Sequence, residues 1–323
     1  MQKATTVSKV IIIGAGCAGL TAGLYCARAE LNPIIFAGEL EDKGGLLVKT
    51  SIVENYPGFP DGILGYDLIE NMEQQIIKQG ANVINRNITK IEVLEPRNIR
   101  LTDDHGDTYQ TKSLIIATGS QPNKLGLPDE AKFWAQGISS CAVCDGALYR
   151  DKRIVVVGGG DSAMEEALFL TKFSNVTLIH RRDKFRASPI MQKRLLTHTK
   201  INILYDTVVQ ELHGDKYLTA ITVKNLTTGD TYRFPVDGLF YGLGLKPNTK
   251  LFESLVDMDS DGYIKHGVYA DYHYETMTSV PGIFVAGDAH DKIYRQAVVA
   301  CGDGCKAALD VNNYLLEHCT ESP

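Results

Sequence analysis

The stretch VIIIGAGCAGLTAGLYCARA, residues 10–29, contains the pattern that decides the first part of the fold. Its apolar start predicts a buried strand, and the apolar spacing from residue 20 onward predicts a helix. Between them lie three glycines in G-x-G-x-x-G spacing: Gly14, Gly16 and Gly19. In such a turn the first glycine allows the bend, the second lets the backbone approach a pyrophosphate, and the third lets helix and strand pack closely. Because the N–H groups of a helix N-terminus favour an anion, the stretch predicts a dinucleotide site.

An acidic residue follows the next strand of this unit. We expect that strand over residues 33–36, and Glu39 lies 20 residues after Gly19. An acid at about this distance commonly binds the ribose 2′-OH of the dinucleotide. The alternative interpretation is a glycine turn kept only for packing, but the strand before it and the helix after it favour a cofactor site.

The same pattern recurs in RIVVVGGGDSAMEEALFLTKFSNVTLIHRR, residues 153–182. Strands are expected over 154–157 and 176–179, with a G-x-G-x-x-A turn after the first of them: Gly158, Gly160 and Ala163. After the second strand basic residues replace the acid: His180, Arg181, Arg182 and Arg186. Arginine holds a 2′-phosphate with a planar, permanently charged fork. We therefore expect this unit to bind NADPH; the alternative is a solvated basic surface.

Two similar stretches bracket the second unit. LIIATGSQPN (114–123) and LFYGLGLKPN (239–248) each read as a buried strand followed by glycine, proline and asparagine. Glycine and proline are typical of links, so the chain is expected to leave one domain near residue 120 and return near residue 248. The predicted class is α/β, with two Rossmann-like three-layer domains. Residues 121–247 would form a domain inserted into a discontinuous one, residues 1–120 and 248–323.

Composition argues against several classes of protein. The chain has 323 residues, 44% of them hydrophobic, which suits two packed domains. Its net charge of -6 argues against a general binder of nucleic acid or of anionic membranes. No apolar run approaches the ~18 residues of a membrane span. The first ten residues show no hydrophobic signal core, so we expect a cytoplasmic protein.

Two of the seven cysteines form a C-x-x-C pair, Cys141 and Cys144, in the segment CAVCDGALYR. A structural zinc site needs four ligands, and the other close pair, Cys301 and Cys305, falls inside an expected helix, so we expect no metal. Between two nucleotide units a redox dithiol is favoured over two inert cysteines. Asp145 follows the pair directly and is expected to act as a general acid/base, with a helix N-cap as the alternative.

The chain resembles the low-molecular-weight thioredoxin reductases, a group of two-domain flavoproteins, in motifs spread over almost its whole length: GAGCAG, ENYPGFP, ATGSQPN, CAVCDGA, VVGGGDSAMEEALFLT, HRRDKFRAS, AGDAHDK and YRQAV. The resemblance implies FAD in the first domain, NADPH in the inserted domain, thioredoxin as the protein substrate, and a homodimer.

The resemblance also implies two sets of cofactor-binding residues. For FAD these are Gly14, Gly16, Gly19, Glu39, Gly44, Gly45, Asn55, Ile88, Ala117, Gly119, Cys144, Asp288, Arg295, Gln296 and Ala297. For NADPH they are Gly158, Gly160, Asp161, Ser162, Ala163, His180, Arg181, Arg182 and Arg186. Ile88 would contact adenine through its backbone, and Asp288 would bind the ribityl or phosphate region. The stretch 295–297 would open a helix beside the isoalloxazine, where the helix dipole favours negative charge.

The sequence departs from the family pattern at several positions near the flavin. Cys17 stands where the family usually has proline, and Leu46 stands where it usually has glutamine. The acid that many relatives place directly after the second strand is Ala37 here, which leaves Glu39 or Glu41 as the ribose contact.

By family position, Cys144 would face the flavin and take its electrons, and Cys141 would attack the thioredoxin disulfide while Asp145 moves protons. Because the C-x-x-C pair must meet both the flavin and a protein, we expect the two domains to rotate between half-reactions.

Two competing functions fit the same fold. A related flavoprotein disulfide reductase would use the same pair on another thioredoxin-like or peroxiredoxin-system protein. A non-catalytic nucleotide sensor is disfavoured by the intact cysteine pair and the arginine set.

Overall fold

The computed structural model describes residues 7–39, 43–50, 52–267 and 273–318. In chain order the strands are β1 (Val7–Ile13), β2 (Ile34–Phe36), β3 (Ile52–Val53), β4 (Ile63–Leu64), β5 (Asn82–Ile84), β6 (Ile88–Glu95), β7 (Asn98–Asp103), β8 (Thr108–Ile116), β9 (Ser120–Pro122), β10 (Ile138–Ser139), β11 (Ile154–Gly158), β12 (Val176–Ile179), β13 (Ile201–Leu204), β14 (Thr207–Gly214), β15 (Leu218–Asn225), β16 (Thr231–Pro235), β17 (Gly238–Gly242), β18 (Leu245–Pro247) and β19 (Ile283–Val285). The helices are α1 (Cys17–Arg28), α2 (Gly65–Lys78), α3 (Glu130–Phe133), α4 (Ala142–Asp145), α5 (Asp161–Leu170), α6 (Pro189–Leu196) and α7 (Ala297–His318).

The chain divides into two compact units. The first unit comprises the described residues within 1–52, 56–121 and 246–323, and the second comprises residues 53–55 and 122–245. The connecting strands β9 and β18, which lie where the chain passes from one unit to the other, pair with each other.

The first unit is built on one sheet with strand order β5-β2-β1-β8-β7-β6, and β19 also pairs with β8. Strands β5, β2, β1, β8 and β19 run parallel, whereas β6 and β7 are antiparallel. In β1 the run Val10–Ile13 is buried, as expected for a central parallel strand covered on both faces. Ile13 lies opposite both Phe36 and Ile116. The turns that follow these three strands therefore meet at one edge of the sheet, where ligands of this fold bind.

Helix α1 packs closely against α7. It begins at Cys17, earlier than the apolar pattern predicted, because the glycine turn ends at Gly16, which is its N-cap. A Cβ atom at Gly304 of α7 would lie 2.2 Å from the carbonyl oxygen of Ala18. Only a glycine allows this backbone approach, so the two helices are held in direct contact beside the first glycine turn.

The second unit repeats the design with a parallel sheet of order β10-β17-β11-β12-β13. Val157 at the end of β11 lies opposite Ile179 at the end of β12. Strands β14, β15 and β16 form a separate antiparallel sheet. The predicted α/β class with two dinucleotide-binding-like sheets is confirmed, and in the second unit the glycine turn and the basic segment 180–186 start from neighbouring strand ends.

Candidate active site

Cys141 and Cys144 form a disulfide, with Cα atoms 5.3 Å apart. Cys141 is the N-cap of α4, and the backbone N–H of Cys144 donates to its Sγ over 3.2 Å. Both cysteines are partly exposed, and Val143 between them is 54% exposed. Once the bond is reduced, the same N–H would donate to the Cys141 sulfur and stabilise negative charge on it.

Asp145 at the end of α4 is held by a residue outside the C-x-x-C motif. The Ser139 hydroxyl donates to its Oδ2 over 2.6 Å. Burial raises the pKa of Asp145, and the Ser139 hydrogen bond partly opposes this. Its side chain makes no cap hydrogen bond to the 3-10 turn Gly146–Tyr149, so the alternative N-cap role is wrong. Ser139 was missed from the sequence; a serine two residues before the cysteine pair is its only local signal.

In the first glycine turn, two of the glycines pack closely against the protein and the third leaves space for a ligand. Gly14 has φ 111°, and a Cβ there would lie 2.2 Å from the carbonyl oxygen of Ala117; a Cβ at Gly19 would lie 1.9 Å from that of Gly14. At Gly16 the nearest atom is the Gly44 carbonyl oxygen at 3.8 Å. The first and third glycines are therefore required for close packing within the protein, and the second leaves room for a ligand to approach the backbone.

The other glycines of the predicted flavin site also differ in their surroundings. A Cβ at Gly44 would lie 2.4 Å from Val48, so this glycine is needed for packing. At Gly45 and Gly119, with φ of 65° each, a Cβ would have no neighbouring atom within 4 Å. Those two positions favour glycine for its backbone conformation alone.

Three further predicted FAD contacts have different positions. Glu39 is exposed after β2, and Glu41 lies outside the described residues. The side chain of Ile88 packs in the core of the first unit, and Ile88 begins β6 opposite Asp103 of β7. Asn55 lies two residues after β3.

Asp288 lies in the 3-10 turn Gly287–Ala289 that follows β19. The Ser120 hydroxyl donates to its Oδ2 over 3.0 Å. Burial raises the pKa of Asp288 to about 6, and the Ser120 hydrogen bond partly opposes this. A carboxyl group held away from water in this way suits contact with ligand hydroxyls, since it can accept or donate a hydrogen bond.

Helix α7 begins at Ala297, so the prediction that Arg295 and Gln296 open the helix is wrong. Arg295 has φ 49°, outside helical geometry. Its N–H donates to Oδ2 of the buried Asp291 over 2.8 Å, and Oδ1 of Asp291 accepts the N–H groups of Ile293 and Tyr294. Asp291 thus fixes a turn before the helix, a role that the sequence reasoning did not find.

The second glycine turn has the same division of roles. A Cβ at Gly158 would lie 2.4 Å from the carbonyl oxygen of Gly242, against which the buried Ala163 also packs. At Gly160 the nearest atom is Nη2 of Arg186, at 3.4 Å. The space that the missing side chain of Gly160 leaves open therefore faces an arginine, and this suits an anionic ligand.

Two polar side chains in this region contact the protein itself. Asp161 and Ser162 open α5; Asp161 accepts hydrogen bonds from the N–H and hydroxyl of Ser188, which lower its pKa. His180 is buried, with Nδ1 3.1 Å from the Gly158 carbonyl and Nε2 2.9 Å from the Lys184 carbonyl. His180 therefore braces the glycine turn, whereas Arg181, Arg182 and Arg186 around it are exposed.

Within the described ranges, no group of three or more His, Cys, Asp or Glu side chains is arranged to hold a metal ion. Across the same ranges, none of the helices has the length and apolar character needed to cross a membrane.

Comparison with known proteins extends over nearly the whole chain. The model of the pyridine nucleotide-disulphide oxidoreductase family matches residues 8–304. A thioredoxin reductase of Neurospora crassa is 44% identical over 322 residues, covering 96% of this chain and 94% of its own. The solved thioredoxin reductase of Giardia duodenalis is 38% identical with a TM-score of 0.89, covering 97% and 100%. That of Lactococcus lactis, described as the FR conformation, is 38% identical with a TM-score of 0.63, covering 96% and 99%. The chain therefore belongs to the pyridine nucleotide-disulphide oxidoreductase family and, within it, to the low-molecular-weight thioredoxin reductases.

Proposed function

We propose that this enzyme carries electrons from NADPH through FAD to the Cys141–Cys144 disulfide, and from there to the disulfide of thioredoxin. The observation that carries the proposal is the partly exposed disulfide with the half-buried Asp145 directly after it in the chain. Family membership supports the pyridine nucleotide and disulfide chemistry.

The residues of the first unit fit FAD. The open backbone at Gly16, next to the N-terminus of α1, suits a pyrophosphate, and the shielded Asp288 suits the ribityl or phosphate region. Glu39 at the end of β2 is the proposed ribose contact. FAD bound there would supply two-electron chemistry between a nicotinamide and a disulfide.

The residues of the second unit fit NADPH. The open backbone at Gly160 lies beside Arg186, and Arg181 and Arg182 stand at the end of the neighbouring strand β12. Three exposed guanidinium groups at the ribose end of the site favour a 2′-phosphate over a free 2′-OH. His180 acts as a positioning residue, because its ring holds the glycine turn against the basic segment.

The two cysteines have separate roles in the reaction with thioredoxin. The Cys141 thiolate, favoured by the Cys144 N–H, attacks one sulfur of the thioredoxin disulfide and forms a mixed disulfide. The Cys144 thiolate then attacks the Cys141 sulfur, which regenerates the Cys141–Cys144 bond and releases thioredoxin as a dithiol. Asp145, whose raised pKa lets it hold a proton more readily than an exposed aspartate, supplies protons to the leaving thiolates.

We also propose that the two units rotate relative to each other during turnover. The disulfide must exchange electrons with FAD and with a protein substrate, and the two units are joined through the β9 and β18 links. Solved relatives of equal sequence identity match this chain with TM-scores of 0.89 and 0.63, which supports more than one arrangement in the family. A bifunctional cross-link between the units, mapped by mass spectrometry, should abolish turnover with thioredoxin. Links within one unit serve as the control, and full turnover of an inter-unit-linked sample would contradict the proposal.

The chain is further proposed to form a homodimer. Helices α2 and α7 of the first unit expose large apolar side chains: Tyr66, Ile77, Leu309 and Leu316. Such side chains are expected at an interface between subunits. Light scattering on a size-exclusion column should give twice the 35.5 kDa chain mass.

A cytosolic location is proposed because the described cysteines outside the C-x-x-C pair are free thiols, as expected in a reducing compartment: Cys17, Cys26, Cys301 and Cys305. Cell fractionation with an antibody to the chain tests this.

The central test is the absorption spectrum of the purified protein, followed by NADPH oxidation in the presence of thioredoxin. We expect a flavin spectrum and thioredoxin-dependent oxidation that Cys144→Ser abolishes and Cys305→Ser retains. A protein without flavin, or equal activity in Cys144→Ser, would overturn the proposal. Faster turnover with a peroxiredoxin-system protein than with thioredoxin would favour the alternative substrate.

A further inference from the structure

A second pair of cysteines meets within the first unit, outside the C-x-x-C motif. Cys17 is the first residue of α1, and Cys301 lies near the beginning of α7. Sγ of Cys301 is 3.8 Å from the carbonyl oxygen of Cys17 and 3.3 Å from the Tyr56 hydroxyl. The two cysteines belong to the same packed cluster of the first unit. Both are free in the structure.

The backbones that carry the two thiols are in close contact. Gly304, one turn beyond Cys301, meets the backbone of Ala18, the neighbour of Cys17. Gly287 packs against both Ala18 and Ala300, since a Cβ there would lie 2.9 Å and 3.5 Å from their Cβ atoms. The backbone contact between α1 and α7 brings together the segments that carry the two cysteines; a disulfide between them requires Cα atoms no more than about 7 Å apart.

The surroundings of the pair give the two thiols different chemical character. Hydrogen bonds from Cys17, Thr21 and Tyr56 lower the pKa of Cys301 to about 6 although burial opposes this. The pKa of Cys17 is raised well above its usual value, by its hydrogen bond with Cys301 and by burial, with a further contribution from the negative charge of Asp288. The two neighbouring thiols thus differ in how readily they ionise, since the pKa of Cys301 is lowered and that of Cys17 is raised.

Cys26 shows what an ordinary buried cysteine looks like in this chain. It lies on the same helix as Cys17 and is fully buried. Burial alone raises its pKa to about 12, so it stays protonated and unreactive. The lowered pKa of Cys301 is thus due to its hydrogen-bond partners and not to burial between α1 and α7.

We propose that Cys301 and Cys17 form a second redox site that reacts with hydroperoxides. The Cys301 thiolate attacks the terminal oxygen of the hydroperoxide, the O–O bond breaks, and a sulfenic acid forms at Cys301 while hydroxide or alkoxide leaves. The Cys17 thiol then attacks the Cys301 sulfur, a disulfide forms, and water leaves. Two thiols lose two electrons, and the hydroperoxide gains them.

Peptide mapping of the full-length, FAD-loaded enzyme tests the proposal. The sample, with Cys141–Cys144 oxidised, is treated with one equivalent of hydrogen peroxide at pH 7, and the remaining free thiols are alkylated. We expect a Cys17–Cys301 linked peptide as the main product in the wild type and in Cys26→Ser. In Cys17→Ser this linked peptide should be absent, and dimedone added to trap sulfenic acids should label Cys301. The proposal is overturned if Cys301 stays as reduced as Cys305, or is oxidised without a bridge to Cys17.

A second measurement does not depend on disulfide formation. The rate of iodoacetamide labelling at Cys301 in the wild-type chain should rise with an inflection near pH 6. Cys17→Ser keeps a hydroxyl that can donate to Cys301, whereas Cys17→Ala removes the donor, so the inflection should move to higher pH in Cys17→Ala than in Cys17→Ser. An inflection above pH 8 in the wild type, as for an ordinary thiol, would also overturn the proposal.

Discussion

The Ser139 hydroxyl donates to Oδ2 of Asp145 over 2.6 Å, and the same oxygen of Ser139 accepts the backbone N–H of Cys141 over 3.1 Å. One hydroxyl group therefore connects the acid to the first cysteine of the redox pair. Burial favours the protonated form of Asp145, and the Ser139 hydrogen bond favours the ionised form. Burial thus raises the proton affinity of the acid, and a serine outside the C-x-x-C motif moderates the increase.

Removing this hydroxyl should shift the pH dependence of thioredoxin reduction. Ser139→Ala removes the interaction that lowers the pKa of Asp145, so that pKa rises and the limb of the rate profile that reports its ionisation moves to higher pH. Asp145→Asn should lower the rate by about 100-fold, as for loss of a general acid. The pH–rate profile measured by NADPH oxidation checks both. Ser174→Ala, which removes an exposed hydroxyl bonded to the Lys152 carbonyl, is the control, and an unchanged profile in Ser139→Ala would contradict the assignment.

Alanine at the first and second glycines of the FAD turn should have different effects. At Gly14 a Cβ would overlap the Ala117 carbonyl in a left-handed backbone, which costs about 2 to 4 kcal/mol of unfolding free energy. At Gly16 the protein leaves space, so Gly16→Ala should keep its stability without cofactor and lose bound flavin. Urea unfolding and the flavin absorbance per chain measure these properties separately. Equal stability loss in both variants would show that Gly16 is also a packing glycine.

The exposed arginines should discriminate NADPH from NADH. Replacing Arg181 or Arg182 with alanine should raise KM for NADPH by roughly 10-fold or more, the cost of a charged hydrogen bond of about 1.5–3 kcal/mol, and leave KM for NADH nearly unchanged. Arg153→Ala is the matched control, because Arg153 lies in the same unit and pairs with Asp237 over 2.7 Å. If Arg153→Ala raised KM as much as the others, the effect would be one of general charge.

The stability of the cofactor-free protein should fall as pH rises past the pKa of Asp288. Its pKa is about 6 in the folded chain against 3.8 for the free group, so folding takes up a proton between these values. Above pH 6 the half-buried carboxylate costs up to about 3 kcal/mol, at about 1.4 kcal/mol per pKa unit. Asp288→Asn should therefore stabilise the protein at pH 7.5 and have little effect at pH 4. Urea titrations at both pH values test this, and equal effects at both would exclude Asp288 as the cause.

The local features of the site were predictable from sequence because they depend on neighbours along the chain. A parallel strand covered on both faces must be apolar, and a turn in which a Cβ at Gly19 would lie 1.9 Å from the Gly14 carbonyl oxygen must use glycine. Both strand–turn–helix units, the arginines at the end of β12 and the C-x-x-C pair follow from such rules. The predicted start of α7 was too early, because the Asp291 carboxylate accepts the N–H groups of Ile293 and Arg295 and holds them in a turn before the helix. These hydrogen bonds depend on the three-dimensional position of the carboxylate.

Contacts between distant parts of the chain required the tertiary structure. Ser120 and Asp288 are 168 residues apart, and Cys17 and Cys301 are 284 apart. No local propensity relates residues at such distances; they meet because the parallel β1, β8 and β19 place their ends together and because α1 packs on α7. The sequence determined which residues have redox and phosphate chemistry, and the tertiary structure decided their partners, since burial and hydrogen bonding exist only once the chain is folded.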